Sequence, residues 1–461
     1  MNRPVVLSAL LALAMNAPSV AATAAAADKP WDLDPIASTY RQPVSQPVLI
    51  RGATVLDGKG GRLDSGDVLM QDGRIVAIGK DLPKGSAREI DGRGHWVTPG
   101  IIDPHSHNGT YVVPLAEIDN YASDVSEGNS VNNADTWIET AINPQDVAFS
   151  KALRSGVTTL QILPGSSPIF SGHAVVVKPV PAVTVAEMKM PGAPVGFKMA
   201  CGENPKSTGG QEIEHKDWPT SRQGVYEYMR AAFSKARDAL TAQRGGRKMD
   251  VDAKTAALEG ILAGDFRLQF HCYRASDMAA MFALADEFQF KITAFHHATE
   301  SYRVIDLIKA HGTCSVVWSD WWGYKLEASD AIRANAPILT KAGACVTMHS
   351  DSPATGQWLN LEAAKAGAAG RRLGIEIPPE QMIVWITSGP AHVLGLENRI
   401  GALSPGMDAD VVLWSGDPFS VYSRPDMVFI GGAVMFDRAD PGVQPVPDFE
   451  LGRPAYEEIT Q

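Results

Sequence analysis

The stretch VTPGIIDPHSH, from Val97 to His107, decides the fold. It is an apolar strand ending in His105 and His107, which a strand places on one face about 6–7 Å apart along the chain. Two imidazoles on one face can converge on one cation, although an isolated pair of this kind is more often structural. A parallel β/α barrel carries its catalytic groups where strands end, so the pair predicts a metal site at a barrel mouth.

Other candidate ligands follow later apolar runs. His271 ends the run 266–271, His296 and His297 follow the run 291–295, and the run 343–350 leads to Asp351. Neutral imidazole and carboxylate ligands suit Zn²⁺ and similar first-row ions. We therefore expect one or two divalent metal ions, with Zn²⁺ as the preferred ion.

The middle of the chain alternates apolar runs with helical patterns over about 300 residues, which favours an α/β fold, a (β/α)₈ TIM barrel over residues 99–399. The expected barrel strands are Gly100–Asp103, Val157–Leu163, Ala174–Val177, Val195–Cys201, Arg267–His271, Lys291–Phe295, Cys314–Trp318 and Cys345–His349. Residues 48–98 and 400–440 are rich in β-patterned runs and turns, which predicts one small β domain formed from both chain ends. An irregular segment (28–47) and a C-terminal tail (441–461) complete the organisation.

Residues 1–27 have the order of a secretory signal peptide: a basic start, an apolar run over Pro4–Met15 and small residues over Ala21–Ala27. The apolar run is shorter than the roughly 20 residues that a membrane span needs. We therefore expect a periplasmic or secreted protein with no stable membrane insertion after cleavage. The four cysteines are Cys201, Cys272, Cys314 and Cys345. We interpret them as single buried positions, since none forms a CxxC pair.

The charge balance limits the partners. The 461 residues include 41 Lys+Arg and 52 Asp+Glu, for a net charge of −11. Nucleic-acid binders need clustered basic residues, so no nucleic acid is expected and the partner is a small-molecule substrate. A homo-oligomer stays open.

Several motifs resemble the amidohydrolase superfamily, and within it the imidazolonepropionase-like and prolidase-like branch. The matching stretches are Pro99–His107, Gly156–Thr159, Ser350–Ser352, Thr387–Ala391, Leu394–Leu396 and Gly401–Val411. The resemblance implies a (β/α)₈ barrel with a small composite β-sandwich domain formed from both chain ends. It also implies a metal-dependent hydrolase in which His105 and His107 bind the more buried ion and His271 and His297 the second. It also implies that Asp351 is both a ligand and the general base, while His296 lies beside His297 in a supporting position.

The sequence leaves three alternatives for the residue of the fourth strand that would bridge two ions. Two-metal members of the superfamily use a carboxylated lysine or a glutamate here. Glu203 is the best placed, just beyond the strand end; Lys198 lies on the strand and is the second choice. The third alternative is a single metal ion with both residues structural.

Other residues are candidates for contact with substrate or support of the ligands, each against a structural alternative. They are His173, His349, Lys206, Arg222, Trp321 and Trp322. The tryptophans of the loop Trp318–Lys325 either form an apolar wall for a substrate or pack against neighbouring loops. Lys206 and Arg222 are candidates to hold a substrate carboxylate, against a solvated role.

These residues predict hydrolysis of an amide (C–N) bond, in a dipeptide or an N-acyl amino acid, by a metal-activated hydroxide with Asp351 as general base. One alternative is a mononuclear cyclic-amide hydrolase or deaminase. Another, from a different class, is a non-catalytic binding protein on the same barrel. A serine hydrolase is disfavoured because no GxSxG motif is present.

Overall fold

The computed structural model describes residues 29, 31, 34–113, 121–206, 218–247 and 249–443. The predicted signal peptide 1–27 and residues 444–461 of the predicted tail lie outside these residues. The strands are β1 (Val48–Leu56), β2 (Arg62–Gln71), β3 (Arg74–Gly79), β4 (Arg88–Asp91), β5 (Trp96–Pro99), β6 (Ile101–Ser106), β7 (Val157–Ile162), β8 (Phe170–Val177), β9 (Gly196–Ala200), β10 (Arg267–Cys272), β11 (Ile292–His297), β12 (Cys314–Val317), β13 (Val346–Met348), β14 (Val411–Trp414), β15 (Pro425–Ile430) and β16 (Ala433–Asp437).

The helices lie mainly between the strands of the middle region. They are α1 (Val147–Arg154), α2 (Val185–Met188), α3 (Arg222–Arg244), α4 (Ala253–Ala263), α5 (Ala275–Phe288), α6 (Ile305–Ala310), α7 (Asn335–Lys341), α8 (Leu359–Arg372), α9 (Pro379–Met382) and α10 (Ser388–Leu394). Side-chain caps start several of them: Asp146, Ser221 and Asp252 each accept a hydrogen bond from a first-turn amide of α1, α3 and α4. Across the described residues, no helix has the length and apolar character needed to cross a membrane.

The predicted barrel is confirmed. Strands β6 to β13 lie side by side in chain order, and hydrogen-bonded ladders join each of the seven successive pairs. Between β13 and β6 the circle is closed by single contacts, including the Asp351 N–H, which donates to the His105 carbonyl (2.9 Å). The buried Asp103 carboxylate also accepts hydrogen bonds from the hydroxyl and the backbone N–H of Ser350. The closure therefore joins the two segments that carry the first candidate ligands.

One barrel strand runs against the others. β8 is antiparallel to both β7 and β9, whereas the remaining barrel pairs are parallel. Only residues 163–169 link β7 to β8, and a connection this short can join antiparallel neighbours but not parallel ones, which need a crossover of a dozen or more residues. The helix that would connect the second and third strands of a regular barrel is thus absent, and a hairpin takes its place.

The predicted domain from both chain ends is a second eight-stranded sheet. Its order is β16-β15-β14-β5-β1-β2-β3, with β4 paired to β1. β5 belongs to this sheet and β6 to the barrel, and only Gly100 separates them. A Cβ at Gly100 would lie 2.0 Å from Thr158 Oγ1, so no larger residue fits without displacing the neighbouring strand.

A buried ion pair also joins the two sheets. Lys178, directly after β8, pairs with Asp410, directly before β14, and their side chains are only 3% and 4% exposed. Lys178 also donates to Thr159 Oγ1 (2.8 Å), and Asp410 accepts from the Gly431 N–H (3.0 Å). Further hydrogen bonds of this kind are what a buried charge pair requires.

The interpretation of the cysteines as single positions is wrong. Cys201 is bonded to Cys272 and Cys314 to Cys345, with Cα–Cα separations of 5.4 and 4.6 Å. The first disulfide joins the ends of β9 and β10, and the second joins the starts of β12 and β13. Each pair becomes adjacent only when parallel strands line up in the barrel, so spacing along the chain does not show it.

Candidate active site

Three ligand atoms form a compact triangle at the barrel mouth. Asp351 Oδ1 lies 2.9 Å from His105 Nε2 and 3.0 Å from His107 Nε2, and the two nitrogens are 3.3 Å apart. Ligands of a tetrahedral ion at about 2.0–2.1 Å lie about 3.3–3.4 Å from one another. The triangle therefore has nearly the size of one face of a tetrahedral metal site.

His107 contributes no proton to this triangle when its ring is in the neutral form that binds metal. His107 Nδ1 lies 2.8 Å from the carbonyl oxygen of Leu163, so Nδ1–H donates there and Nε2 of the neutral ring carries a lone pair. That lone pair faces a carboxylate oxygen. A cation between them resolves the contact, and an imidazole oriented by a carbonyl is the usual arrangement of a metal-bound histidine.

The histidines of β10 and β11 form the adjacent wall. The rings of His271 and His297 lie 4.4 Å apart, and His297 Nδ1 lies 3.9 Å from Asp351 Oδ2. His297 has a φ of +70° and Asp351 of +55°, conformations that non-glycine residues rarely adopt and that cluster at functional sites. Because of its φ, His297 departs from strand alternation, and its ring and that of His296 both lie within 5.2 Å of the His105 ring.

His296 differs from His297 in having a protein partner. Its Nε2 lies 2.7 Å from Gln269 Oε1, deep in the barrel, and the residue is fully buried. His297 instead belongs to a group of ligand atoms, with His105 and His349, that lie within 4.8 Å of one another. The structure thus brings His297 to the cluster, as preferred from the sequence, and holds His296 behind it.

At the fourth strand the structure places Lys198, and not Glu203, beside the cluster. Lys198 is fully buried on β9, with Nζ 3.1 Å from His105 Nε2 and donating to the Pro164 carbonyl (3.2 Å). Glu203 lies three residues beyond the end of β9, is partly exposed, and belongs to none of the ligand groups found in the described part of the chain. The register explains this: Lys198 pairs with Gln269, two residues before His271 on the same face of the sheet.

Burial favours the uncharged form of three imidazoles in the cluster. It lowers the pKa of His105, His271 and His296 well below the ordinary histidine value, and the nearby Lys198 ammonium acts in the same direction. Burial likewise lowers the pKa of Lys198 to about 8. Neutral imidazoles are the form that binds metal.

The cluster fits a metal ion by a second criterion. Seven nitrogens of its buried imidazoles have no hydrogen-bond partner among the described residues. They are His105 Nδ1, both nitrogens of His271, His296 Nδ1, His297 Nδ1 and both nitrogens of His349. Buried polar atoms are almost always satisfied, so this concentration of free nitrogens requires an explanation, and bound cations supply one.

Aromatic rings cover the imidazoles. Trp318 is 5% exposed and stacks on His297 (4.4 Å between ring centres) and on His349 (4.8 Å). Trp321 in turn stacks on Trp318 (4.7 Å). Trp322 is 67% exposed and takes no part in this stack. Of the two tryptophans proposed from the sequence, the structure brings Trp321 to the site and leaves Trp322 in solvent.

A polar network borders the mouth. Arg222 pairs with Asp277 (3.1 Å) and Glu327 (2.9 Å), and Lys325 Nζ pairs with the other Glu327 oxygen (2.8 Å). The candidate carboxylate-binding group Arg222 is therefore already engaged by two carboxylates of the chain. Lys206 is partly buried, and its backbone N–H donates to the Glu203 carbonyl (3.2 Å); no contact joins it to the cluster within the described ranges.

His173 lies away from the mouth. Its ring stacks on Trp137 (4.0 Å) and packs edge-on against Phe197 and Phe266, and Nδ1–H donates to the Thr136 carbonyl (3.0 Å). Phe197 precedes Lys198, so it occupies the opposite face of β9 from the cluster. The structure does not bring His173 to the site.

Sequence reasoning missed two residues at the site. Tyr273 is buried, stacks on His297 (4.8 Å) and carries the Lys325 ammonium over its ring (4.0 Å). Asp103 holds β6 to β13, and burial raises its pKa to about 7. Both lie two residues from a candidate ligand, Tyr273 after His271 and Asp103 before His105, so the alternation of a strand is the signal that could have found them.

Comparison with known proteins fits this geometry. The model of the amidohydrolase family matches residues 96–435, which is most of the chain, and the chain belongs to that family.

Relatives extend over most of the chain. It is 31% identical over 415 residues to amidohydrolase tasK of Hapsidospora irregularis, in a match covering 83% of this chain and 41% of that protein, so the chain spans about two fifths of its length. It is 26% identical over 394 residues to imidazolonepropionase of Stenotrophomonas maltophilia (78% and 89% covered). The crystal structure of an amidohydrolase from Thermotoga maritima MSB8 superimposes with a TM-score of 0.77 at 31% identity, covering 85% of this chain and all of that one.

Proposed function

We propose that the protein is a metal-dependent amidohydrolase that cleaves the amide bond of a dipeptide or an N-acyl amino acid. The observation that carries the proposal is the triangle of His105 Nε2, His107 Nε2 and Asp351 Oδ1, which matches one face of a metal site. His271 and His297 stand beside it for a second ion.

The mouth of the barrel supports this substrate class. Trp318, Trp321 and Tyr273 offer an apolar surface for an acyl or amino-acid side chain. The Lys325 ammonium lies over the Tyr273 ring, and that ring stacks on His297. Because Lys325 Nζ is already paired with Glu327 Oε1 (2.8 Å), the aromatic surface, and not this cation, supports the substrate class.

In this proposal the ion, Asp351 and Trp318 have separate roles in the hydrolysis. A bound divalent ion lowers the pKa of a coordinated water and polarises the scissile carbonyl. Asp351 would hold the ion together with His105 and His107, and its Oδ2, which lies 3.9 Å from His297 Nδ1, would take the proton of the attacking water and pass it to the leaving nitrogen. Trp318, which stacks on His297 and His349, would shield that side of the site from bulk water.

Lys198 is the better candidate than Glu203 to bridge two ions. As a neutral amine its Nζ can attack the carbon of CO₂, forming an N–C bond and losing one proton to give a carbamate anion. Its lowered pKa, about 8, increases the neutral fraction that reacts. The product would replace a positive charge, which opposes metal binding beside His105, by a negative one that favours it.

A screen of purified protein loaded with Zn²⁺, Co²⁺ or Mn²⁺ tests the proposal, with dipeptides, N-acyl amino acids, lactones and cyclic amides as substrates. Release of amino acid from the first two classes is the expected result. Turnover of cyclic amides alone, with one ion bound, would instead support the alternative of a mononuclear cyclic-amide hydrolase or deaminase, which the similarity to imidazolonepropionase favours. Absence of turnover with metal bound would favour a binding protein.

We also propose that the protein is exported and works in the periplasm or outside the cell. The composition of residues 1–27 supports this, and so do the two disulfides, which persist in oxidising compartments. N-terminal sequencing of protein from a fractionated culture tests it: the mature chain should begin between Ala22 and Asp28 and be absent from the cytoplasm.

A further inference from the structure

His349 is a buried histidine with no assigned role in the metal site described above. It directly follows β13, is fully buried, and precedes Asp351 by two residues. Neither of its ring nitrogens has a hydrogen-bond partner among the described residues. An imidazole with both nitrogens free in a dry interior is costly unless something binds it.

The position of the ring points to a ligand. His349 stacks on His105 (4.9 Å between ring centres) and faces His297 (5.0 Å), while Trp318 covers its other side (4.8 Å). One nitrogen from each of the three histidines lies within 4.8 Å of the others. Two ligands of one zinc ion lie at most about 4.2 Å apart, so side-chain shifts of less than about 1 Å would bring the nitrogens of His349 and His297 to a common ion, next to His105.

The neighbouring His296 shows what a structural histidine looks like here. It is equally buried, but its Nε2 is bound by Gln269 Oε1 at 2.7 Å. No comparable side chain approaches His349 in the described part of the chain, although both residues lie at the ends of barrel strands.

We propose that His349 is a metal ligand, binding a second ion together with His297 beside the position formed by His105, His107 and Asp351. The proposal rests on the proposed function in that it requires a metal enzyme. A further imidazole makes the second position richer in nitrogen. Such a site selects Zn²⁺, Co²⁺ or Ni²⁺ over Mn²⁺, which prefers oxygen ligands.

Metal stoichiometry tests the proposal without reference to activity. Wild type, His349→Gln and the matched control His296→Gln are equilibrated with Zn²⁺, desalted and measured by inductively coupled plasma mass spectrometry, with circular dichroism to verify folding. His349→Gln should hold one ion fewer per chain than wild type, and His296→Gln the same number as wild type. Equal metal content in His349→Gln and wild type would overturn the proposal; a wild type without any metal would overturn the proposed function as well.

A gain-of-signal variant covers the case in which His349→Gln fails to fold. His349→Cys loaded with Co²⁺ should show a near-ultraviolet thiolate-to-cobalt charge-transfer band, because the new thiolate reaches the ion, and His296→Cys should not. Absence of the band in folded, cobalt-loaded His349→Cys refutes the assignment, whether or not the enzyme remains active.

Discussion

Replacement of Asp351 by asparagine separates its proposed role as a base from its role as a ligand. Asparagine has the same shape, retains an oxygen that can occupy the Oδ1 position near His105 and His107, and tolerates the positive φ of this residue. Because both imidazoles remain, we expect the Zn²⁺ content in excess metal to stay near that of wild type. The amide cannot accept the proton, so the general-base contribution is lost.

The expected loss follows from that contribution. A positioned general base accelerates a reaction about 10²–10⁴-fold, which corresponds to about 2.7–5.4 kcal/mol of activation free energy. We expect kcat to fall by this factor in Asp351→Asn, measured with the best substrate of the screen and normalised to bound metal. Asp330→Asn, at an exposed aspartate paired with Arg303, is the control and should keep the wild-type kcat. A wild-type kcat in Asp351→Asn would refute the assignment of the base.

Four further predictions follow from the same structure. Chelation should abolish activity and lower Tm, because an ion present at 100 times its Kd stabilises the folded state by about 2.7 kcal/mol; an unchanged Tm in calorimetry would contradict a metal in the buried cluster. Lys198→Ala should lose metal and activity, and acetate should restore part of both. Metal-free wild type should take up metal faster when bicarbonate is added. A metal content that changes neither with the substitution nor with bicarbonate would exclude a carbamate on Lys198. Cys314→Ser should reduce the free energy of unfolding, measured in urea, by about 2–4 kcal/mol, because it removes the crosslink to Cys345 over 31 residues. In this variant a reductant should lower the free energy of unfolding further only by the contribution of the remaining disulfide, Cys201–Cys272. Lys178→Ala should reduce the free energy of unfolding by about 3–5 kcal/mol, because Asp410 is left buried and unpaired. An unchanged denaturation midpoint would show instead that water solvates the Asp410 carboxylate.

Much of the barrel was accessible from the sequence because strand ends carry a local signal. The apolar runs at 157–163 and 267–271 match β7 and β10 to within one residue, and all eight expected barrel strands are present. Histidines directly after such runs must lie at one edge of a parallel sheet, so their convergence at the mouth follows from topology.

The features that the sequence did not predict depend on which strands become neighbours and in which direction those strands run. The pairing of Cys201 with Cys272 needs β9 beside β10, and the reversal of β8 depends on a short loop whose ends look like ordinary strand ends. The choice between Lys198 and Glu203 depends on register: the β9 ladder places Lys198 on the face of His271, while Glu203 falls outside the ladder. Local propensity contains none of this information.

The junction at Gly100 determines how this protein can be divided. Since β5 ends at Pro99 and β6 begins at Ile101, the strand that carries His105 and His107 is a direct continuation of a strand in the small sheet. An excised barrel starting at residue 99 would lose the anchor that sets the position of its first ligand strand. Recombination between members of this architecture should therefore place its crossover points outside Trp96–His107, so that sheet strand, glycine and ligands are inherited as one piece.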